Sequence, residues 1–507
     1  MLNRSRALAT VAMVALTTAF AAPVAADTLQ EAIALAYRTN PTLLAQRAQQ
    51  RALDESVPQA RAGLRPTIDL SASASYSRVD SEGGSRDLDG DGVPENIPGG
   101  VSESDNGVVS VGLAQNVWTA GRIGRQINIA EANVLSGREN LRAIEQQVLA
   151  SVIQTYVDVQ RDMEILRIRQ ENIAVLRRQL EESSARFEVG EITRTDVAQS
   201  ESRLAQSEAD LASAQAQLSV SRAAYAAVVG QAPDNMETPP PLPGVPTDFD
   251  AAMDIGLLEN PGVRAAAYQL QGAEAQVAAA RSEYLPSARV TASFGGSDEL
   301  SGFNPGARTS FQAGASISVP LFTGGLNQSR VAQALERANA AQIAVEGERR
   351  NVLQDVSSAF AQVVSARATV AAGNEAVRAA TVAAEGVRQE AQVGLRTTLD
   401  VLNQELELRA SQVTLISARR NEYVAQTQLL AAMGRLEGTD LVPGIEQYDP
   451  ETNYNRVRNR GALPWDGIIE SIDRLAAPPI VSAGDAPDAP IDQQLKSEVF
   501  QTAPSAD

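Results

Sequence analysis

The sequence predicts a mainly α-helical chain, duplicated internally, in which each half contributes two strands of transmembrane-barrel type and a hairpin of very long coiled-coil helices. Three observations predict it. The turn Val189-Gly190-Glu191-Ile192-Thr193-Arg194-Thr195-Asp196-Val197 returns as Val393-Gly394-Leu395-Arg396-Thr397-Thr398-Leu399-Asp400-Val401. In both, a glycine stands where a helix C′ residue takes positive φ, and Thr193 to Asp196 or Thr397 to Asp400 supplies a capping box for the next helix. Landmarks also recur at fixed offsets. Pro41 maps to Pro261 and Pro66 to Pro286, both 220 residues on, whereas Trp118 maps to Phe322, Gly190 to Gly394 and Asp196 to Asp400, all 204 residues on. The first half therefore carries 16 extra residues between Pro66 and Trp118. Within that interval the hydrophobic period changes from helical to alternating.

In chain order, residues 1–26 read as a secretory leader: Arg4 and Arg6, an apolar run from Ala7 to Ala22, then small residues before Asp27. No later apolar run approaches the length of a membrane-spanning helix, so a bilayer crossing would have to be made by a β-barrel. Cysteine is absent, which leaves out disulfides and a lipid anchor on an N-terminal cysteine, and histidine is absent too. Cysteine and imidazole nucleophiles, imidazole bases and ordinary zinc sites are thereby excluded, and we expect neither a cofactor nor an enzyme. Loss of Arg4 and Arg6 with the leader turns the formal net charge from −19 to −21, which argues against a nucleic-acid partner.

The first repeat spans 27–230. An amphipathic helix from Thr28 to Thr39 runs through Leu29, Ile33 and Leu35 into Asn40-Pro41, which closes it and caps a second helix continuing to about Gly63. Ile68, Leu70, Ala72, Ala74 and Tyr76 then alternate with small polar residues, and Val109, Val111, Leu113 and Val117 do so on the return. In the second repeat, 248–438, Asn260-Pro261 repeats the punctuation after a helix starting near Phe249. Ala288, Val290, Ala292 and Phe294 and then Phe311, Ala313, Ala315, Ile317 and Val319 form its two strands. Strands of this length with one apolar and one small-polar face have the dyad pattern of transmembrane barrel staves, yet four cannot close a barrel. Either the sheet is soluble and packed on a core, or several chains pool their strands.

Each strand pair feeds a helix of roughly 70 residues, about 100 Å long. Val352, Val356, Ala359, Val363, Ala366, Val370, Gly373, Val377, Ala380, Ala384 and Val387 mark an unbroken seam in the second; Val152, Val159, Leu166, Ile173 and Leu180 mark one in the first, loosened by Thr155, Asp162 and Arg169. Past the turns the seam resumes at Val197, Leu204, Leu211, Leu218 and Tyr225, and at Val401, Leu408 and Leu415. Such helices must pack side by side in a rod or a tube. Residues 231–247, with Pro239-Pro240-Pro241-Leu242-Pro243, link the repeats. The tail, 439–507, loses the heptads and is expected to be disordered from about Ala476.

Taken together and in register, Asn40-Pro41, the first strand pair, Trp118-Thr119-Ala120-Gly121, Val189-Gly190 to Asp196-Val197, Asn260-Pro261, Leu285-Pro286, Val319-Pro320-Leu321-Phe322-Thr323-Gly324-Gly325 and Val393-Gly394 to Asp400-Val401 resemble the TolC-type outer-membrane channels of Gram-negative bacteria. The resemblance implies a homotrimer whose protomers each lend four strands to one twelve-stranded barrel in outer-membrane lipid, continued by a helical tunnel across the periplasm. It also implies two partners: a periplasmic adaptor, or membrane fusion protein, on the hairpin tips, and an inner-membrane ABC or other pump. By position, Asp400 would join an acidic ring at the tunnel's gate, and Arg396 would link to Thr195 and Asp196 of a neighbouring hairpin. Gly190 and Gly394 shape the tips. Two departures stand out: a second ring acid expected after Asp400 is Asn403, and a tyrosine expected before Gly394 is Ala391. Both imply a gate with fewer restraints.

Each of these residues also has a plainer reading. Asp196 and Asp400 are capping-box acids and Arg396 a solvated loop cation. In the inserted loop Asp87, Asp89 and Asp91 match the first half of a calcium loop, but its twelfth position is Pro98, so the plainer reading is a polar surface loop. The function expected is a passive exit channel for protein, toward which similarity to type I secretion members inclines, or for small molecules. The alternative is a soluble periplasmic coiled-coil adaptor. An exported hydrolase lacks a clustered acid-base constellation.

Overall fold

The computed structural model describes residues 28–86, 92, 95–234, 236–299 and 308–482. The leader, Asp87, Asp89 and Asp91 of the acidic loop, and the tail beyond Ser482 lie outside the described residues.

The order is α1 (Leu29–Thr39), α2 (Pro41–Asp54), α3 (Ser56–Ala62), β1 (Thr67–Ser81), β2 (Gly84–Arg86), β3 (Glu95–Ile97), β4 (Gly100–Trp118), α4 (Arg122–Glu188) and α5 (Arg194–Val229). The second repeat follows with α6 (Phe249–Glu259), α7 (Pro261–Ser282), β5 (Ser287–Glu299), β6 (Arg308–Ser318), α8 (Leu326–Gln392) and α9 (Thr398–Ala432). Three short helices close the chain: α10 (Gly438–Leu441), α11 (Pro450–Val457) and α12 (Asp466–Asp473). Two compact units result, each drawing on both repeats. One comprises the chain up to Asn40, Ser151–Pro241 and Thr369–Arg420; the other comprises Pro41–Ala150, Leu242–Ala368 and the chain from Asn421 on.

In the first unit, α4 packs along α5 and α8 along α9. Both long helices run 67 residues. Val152, Val159, Ile173, Leu218 and Tyr225 are buried on one seam, and Ala380, Ala384 and Leu408 on the other. Polar positions in the first seam are paired rather than wasted: Asp162 accepts from Gln217 Nε2 on α5 at 3.5 Å, Arg169 meets Asp210 at 3.1 Å, and Asn172 Nδ2 donates to Ser207 at 2.9 Å. Such pairs hold the helix register where apolar packing alone permits sliding. Gly373 lets the backbone of α8 approach Leu415, whose Cδ1 would stand 3.3 Å from an added Cβ.

In the second unit, β1-β4-β5-β6 form one antiparallel sheet, with β2 and β3 as a separate short hairpin. The expected strands are all present and longer in the first repeat, where 15 and 19 residues face 13 and 11 in the second. The apolar face is bare: Leu70 is 73% exposed, Phe311 70% and Ile317 71%. Edges β1 and β6 are both open. A sheet packed on a soluble core would have this face covered, so of the two arrangements left open above, the soluble one is set aside.

The two Asn-Pro steps do the same work twice. Asn40 Nδ2 donates to Val228 O at 2.9 Å in the first unit, and Asn260 Nδ2 to Ala432 O at 2.9 Å in the second, each tying a helix start to the end of a returning long helix.

One expectation needs correction. The helix expected from Pro41 to about Gly63 breaks at Glu55, because Pro58 has no N–H for the carbonyl of Asp54 and its ring crowds that oxygen. Between the last heptads and Ala476, where the expected disorder begins, α11 and α12 pack on the root of the first repeat. Asn453 Nδ2 donates to buried Asp54 at 2.6 Å, Arg65 Nε to Asp466 at 2.9 Å, and Trp118 Nε1 to Leu475 O at 2.9 Å.

Candidate functional site

The candidate residues sit on the two hairpin tips, and local chemistry fixes each. Helix α4 ends in a left-handed residue, Gly190 at φ +78°, whose N–H reaches Phe187 O at 2.9 Å while Glu191 N–H reaches Arg186 O at 2.9 Å. This is the Schellman closure that satisfies the last carbonyls. Gly394 repeats it at φ +79°, with Leu395 N–H on Glu390 O at 2.9 Å. Thr193 and Thr397 then open α5 and α9. The Thr193 backbone N–H and Oγ1 donate to Asp196 Oδ2 at 2.9 and 2.8 Å, and those of Thr397 to Asp400 Oδ2 at 3.0 and 2.8 Å. These bonds, the backbone one first, hold both carboxyls below the usual aspartate range.

Each tip also carries an ion pair across its turn, with the signs exchanged. In the first, Arg186 on the helix meets Glu191 in the turn at 3.2 Å; in the second, Glu390 on the helix accepts from Arg396 Nε in the turn at 2.8 Å. Arg186 and Glu390 are equivalent positions, 204 residues apart. The sequence reading missed this pairing, because the partners lie five and six residues apart across a turn, a spacing no helical period marks. Glu390 holds the Arg396 guanidinium in its charged form.

The two tips together line a cavity of about 280 Å³. The first brings Glu182, Arg186, Glu191 and Asp196; the second brings Arg388 and Arg396, with Ala391 beside them. The first wall is thus net acidic and the second basic. Within the chain Arg396 bonds Glu390 and reaches neither Thr195 nor Asp196. Thr195 is an exposed residue of the first turn of α5. Asn403, in place of the expected second acid, accepts from Arg203 Nη2 on α5 at 3.0 Å. Behind the tip, buried Glu405 receives Arg388 and lies 3.7 Å from Arg409.

The family model for outer membrane efflux proteins matches residues 32–231 and 254–435. Among relatives, the chain is 32% identical to the outer membrane efflux protein BepC of Brucella suis over 87% of this chain and 92% of BepC. It is 26% identical to the outer membrane protein TolC of Escherichia coli over 82% and 84%. The solved structure of the outer membrane protein VceC of Vibrio cholerae shares the fold, with a TM-score of 0.66 over 80% of this chain and 96% of that one at 22% identity. The chain belongs to the outer membrane efflux protein family, and its place is the outer membrane of a Gram-negative cell.

Proposed function

We propose that the protein is the exit duct of a tripartite export machine, gated at its hairpin tips. Three copies pool β1, β4, β5 and β6 into a twelve-stranded barrel, which leaves no open edge. The long helices form the periplasmic tunnel, an adaptor docks on the tips, and an inner-membrane pump supplies the energy. Family membership supports this reading, and the soluble adaptor alternative has no use for a bare apolar sheet face.

The observation that carries the gate is the cavity between tips of opposite charge. In the closed state Arg396 exchanges Glu390 for Thr195 and Asp196 of a neighbouring hairpin, and Asp400 faces the pore as one member of an acidic ring. Opening returns Arg396 to Glu390, so the guanidinium is never left unpaired. Asn403 leaves the ring with fewer acids, and Ala391 offers no hydroxyl to restrain the second tip.

Single-channel conductance of the detergent-purified protein in planar bilayers tests this. Arg396→Ala should raise the open fraction, and Asp400→Asn, which keeps an acceptor for the cap, should lower cation selectivity. Conductance indifferent to both would leave the channel and reduce the two residues to a loop cation and a cap; an assembled oligomer with no conductance would end the duct reading. For cargo, the likeness to BepC, named as an efflux protein, supports small molecules. A deletion strain sensitised to dyes and detergents with an unchanged culture supernatant would bear that out, whereas secreted proteins missing from the supernatant would point to protein export.

A further inference from the structure

Helix α12 has apolar residues on two sides. Ile469 faces inward, against Leu64, Ile123 and Ile127 at the root of α4. Outward, Trp465 is 45% exposed, Ile468 64% and Leu475 63%. A helix of eight residues whose own Ile468 and flanking Trp465 and Leu475 leave this much apolar surface bare is out of place facing water.

The location of the helix supplies the occupant. At the foot of the sheet a bulge at Val117 sets Trp118 opposite Ala288, which in turn lies opposite Ile317. Ala288 and Ile317 belong to the apolar face of their strands, so the bulge turns the Trp118 ring to that face as well. Trp118 Nε1 donates to Leu475 O, which fastens the end of α12 to the rim of the apolar face. Arg65 on Asp466 fastens its start. The bare residues of α12 therefore continue the lipid-facing surface of the sheet. The chain has two tryptophans, Trp118 as the last residue of β4 and Trp465 as the N-cap of α12. Indole, with an apolar body and one N–H, collects at the boundary between acyl chains and headgroups. At the same foot, Leu321 is 93% and Phe322 90% exposed in the loop after β6.

We propose that α12 is a lipid-seating helix: it lies in the inner-leaflet boundary of the outer membrane, with Trp465, Ile468 and Leu475 in phospholipid, and it fixes the depth of the barrel. This rests on the apolar sheet face being the membrane face.

Because the chain has no native cysteine, single cysteines report cleanly. Ile468→Cys and, as a control, Phe294→Cys on the strand face would be labelled with an environment-sensitive fluorophore. The full-length trimer would then be reconstituted into phosphatidylethanolamine–phosphatidylglycerol vesicles. Lipids carrying a doxyl group near the headgroup should quench the label at 468, and aqueous iodide should not. Quenching at 468 by iodide alone, with lipid quenching intact at 294, would overturn the proposal and leave the barrel reading standing. Shielding at 468 from both quenchers, together with disulfide formation between copies, would overturn it in favour of a contact between protomers. Loss of lipid quenching at 294 would bring down the membrane-face reading on which it rests.

Discussion

The two repeats end their long helices alike and begin them differently. At the tips, Gly190 and Gly394 differ by one degree in φ, and the two capping boxes match bond for bond. At the roots, Trp118-Thr119-Ala120-Gly121 and Phe322-Thr323-Gly324-Gly325 take the same left-handed backbone, with φ +51° and +79° against +61° and +86°. Among the described residues only the first root is clamped by the tail; the second is held within its own repeat, where buried Asn327 Nδ2 donates to Glu283 O at 2.9 Å. Buried Asp473 accepts from Thr119 N at 2.6 Å, Thr119 Oγ1 at 2.7 Å and Gly124 N at 3.3 Å, capping α4 from more than 340 residues away. Both threonines also cap their own helices, Thr119 through Ile123 N at 3.2 Å and Thr323 through Asn327 N at 3.5 Å. A duplication copies what nine neighbouring residues specify; the difference comes from a tail that was not duplicated. The clamp also accounts for Ala120, a non-glycine in the left-handed region where the second repeat has Gly324.

The largest effect is therefore expected at the clamp. Asp473→Ala strands three donors, two of them buried, and should cost about 3 kcal/mol in denaturant unfolding, whereas Thr323→Ala should cost less than about 1 kcal/mol. Equal losses would mean that the roots are equivalent after all. Next come the tips: Gly190→Ala and Gly394→Ala force a side chain into positive φ and should each cost about 1–2 kcal/mol, the same within error. A difference between them would show that one tip bears a load the other does not. Ala120→Gly relieves the strain and should be neutral or stabilising by up to about 1 kcal/mol, while Gly324→Ala, with no clamp to hold it, should lose about 1–2 kcal/mol.

This contrast also governs what the sequence could show. Long helices, strands and tips announce themselves through periods of seven and two and through Gly and Thr-x-x-Asp at fixed spacing, all of which are local. The α2–α3 break was legible in principle, since Pro58 is in view, but an amphipathic pattern running through it hides the break. The Asp54–Asn453 and Asp473–Thr119 bonds join residues some 400 and 350 positions apart, and nothing near Asp473 marks it as a cap. At the tips the Thr193 and Thr397 partners of Asp196 and Asp400 are legible as capping boxes, whereas the Glu390 partner of Arg396 is not. Cross-turn pairs such as Arg396 with Glu390 depend on the direction in which the turn sends each side chain.

Proton uptake gives the smallest effect and separates tip from root by sign. The Asp196 and Asp400 carboxyls are held low by the Thr193 and Thr397 N–H groups, so their contribution is in place above the unfolded pKa of about 3.9 and fades as pH falls through the lower folded value. Asp54 is the reverse. Burial raises its pKa against the bonds from Asn453 and Gln50, so its contribution is full below about pH 3.9 and diminishes as pH rises through the raised folded value. Acidification below about pH 4 should loosen the tips while relieving the root. Limited proteolysis with an acid-active protease, mapped at residues 188–196 and 392–400 against 450–457, reads both at once. Tips that loosen already between pH 7 and 5 would require a titrating group other than the capping aspartates.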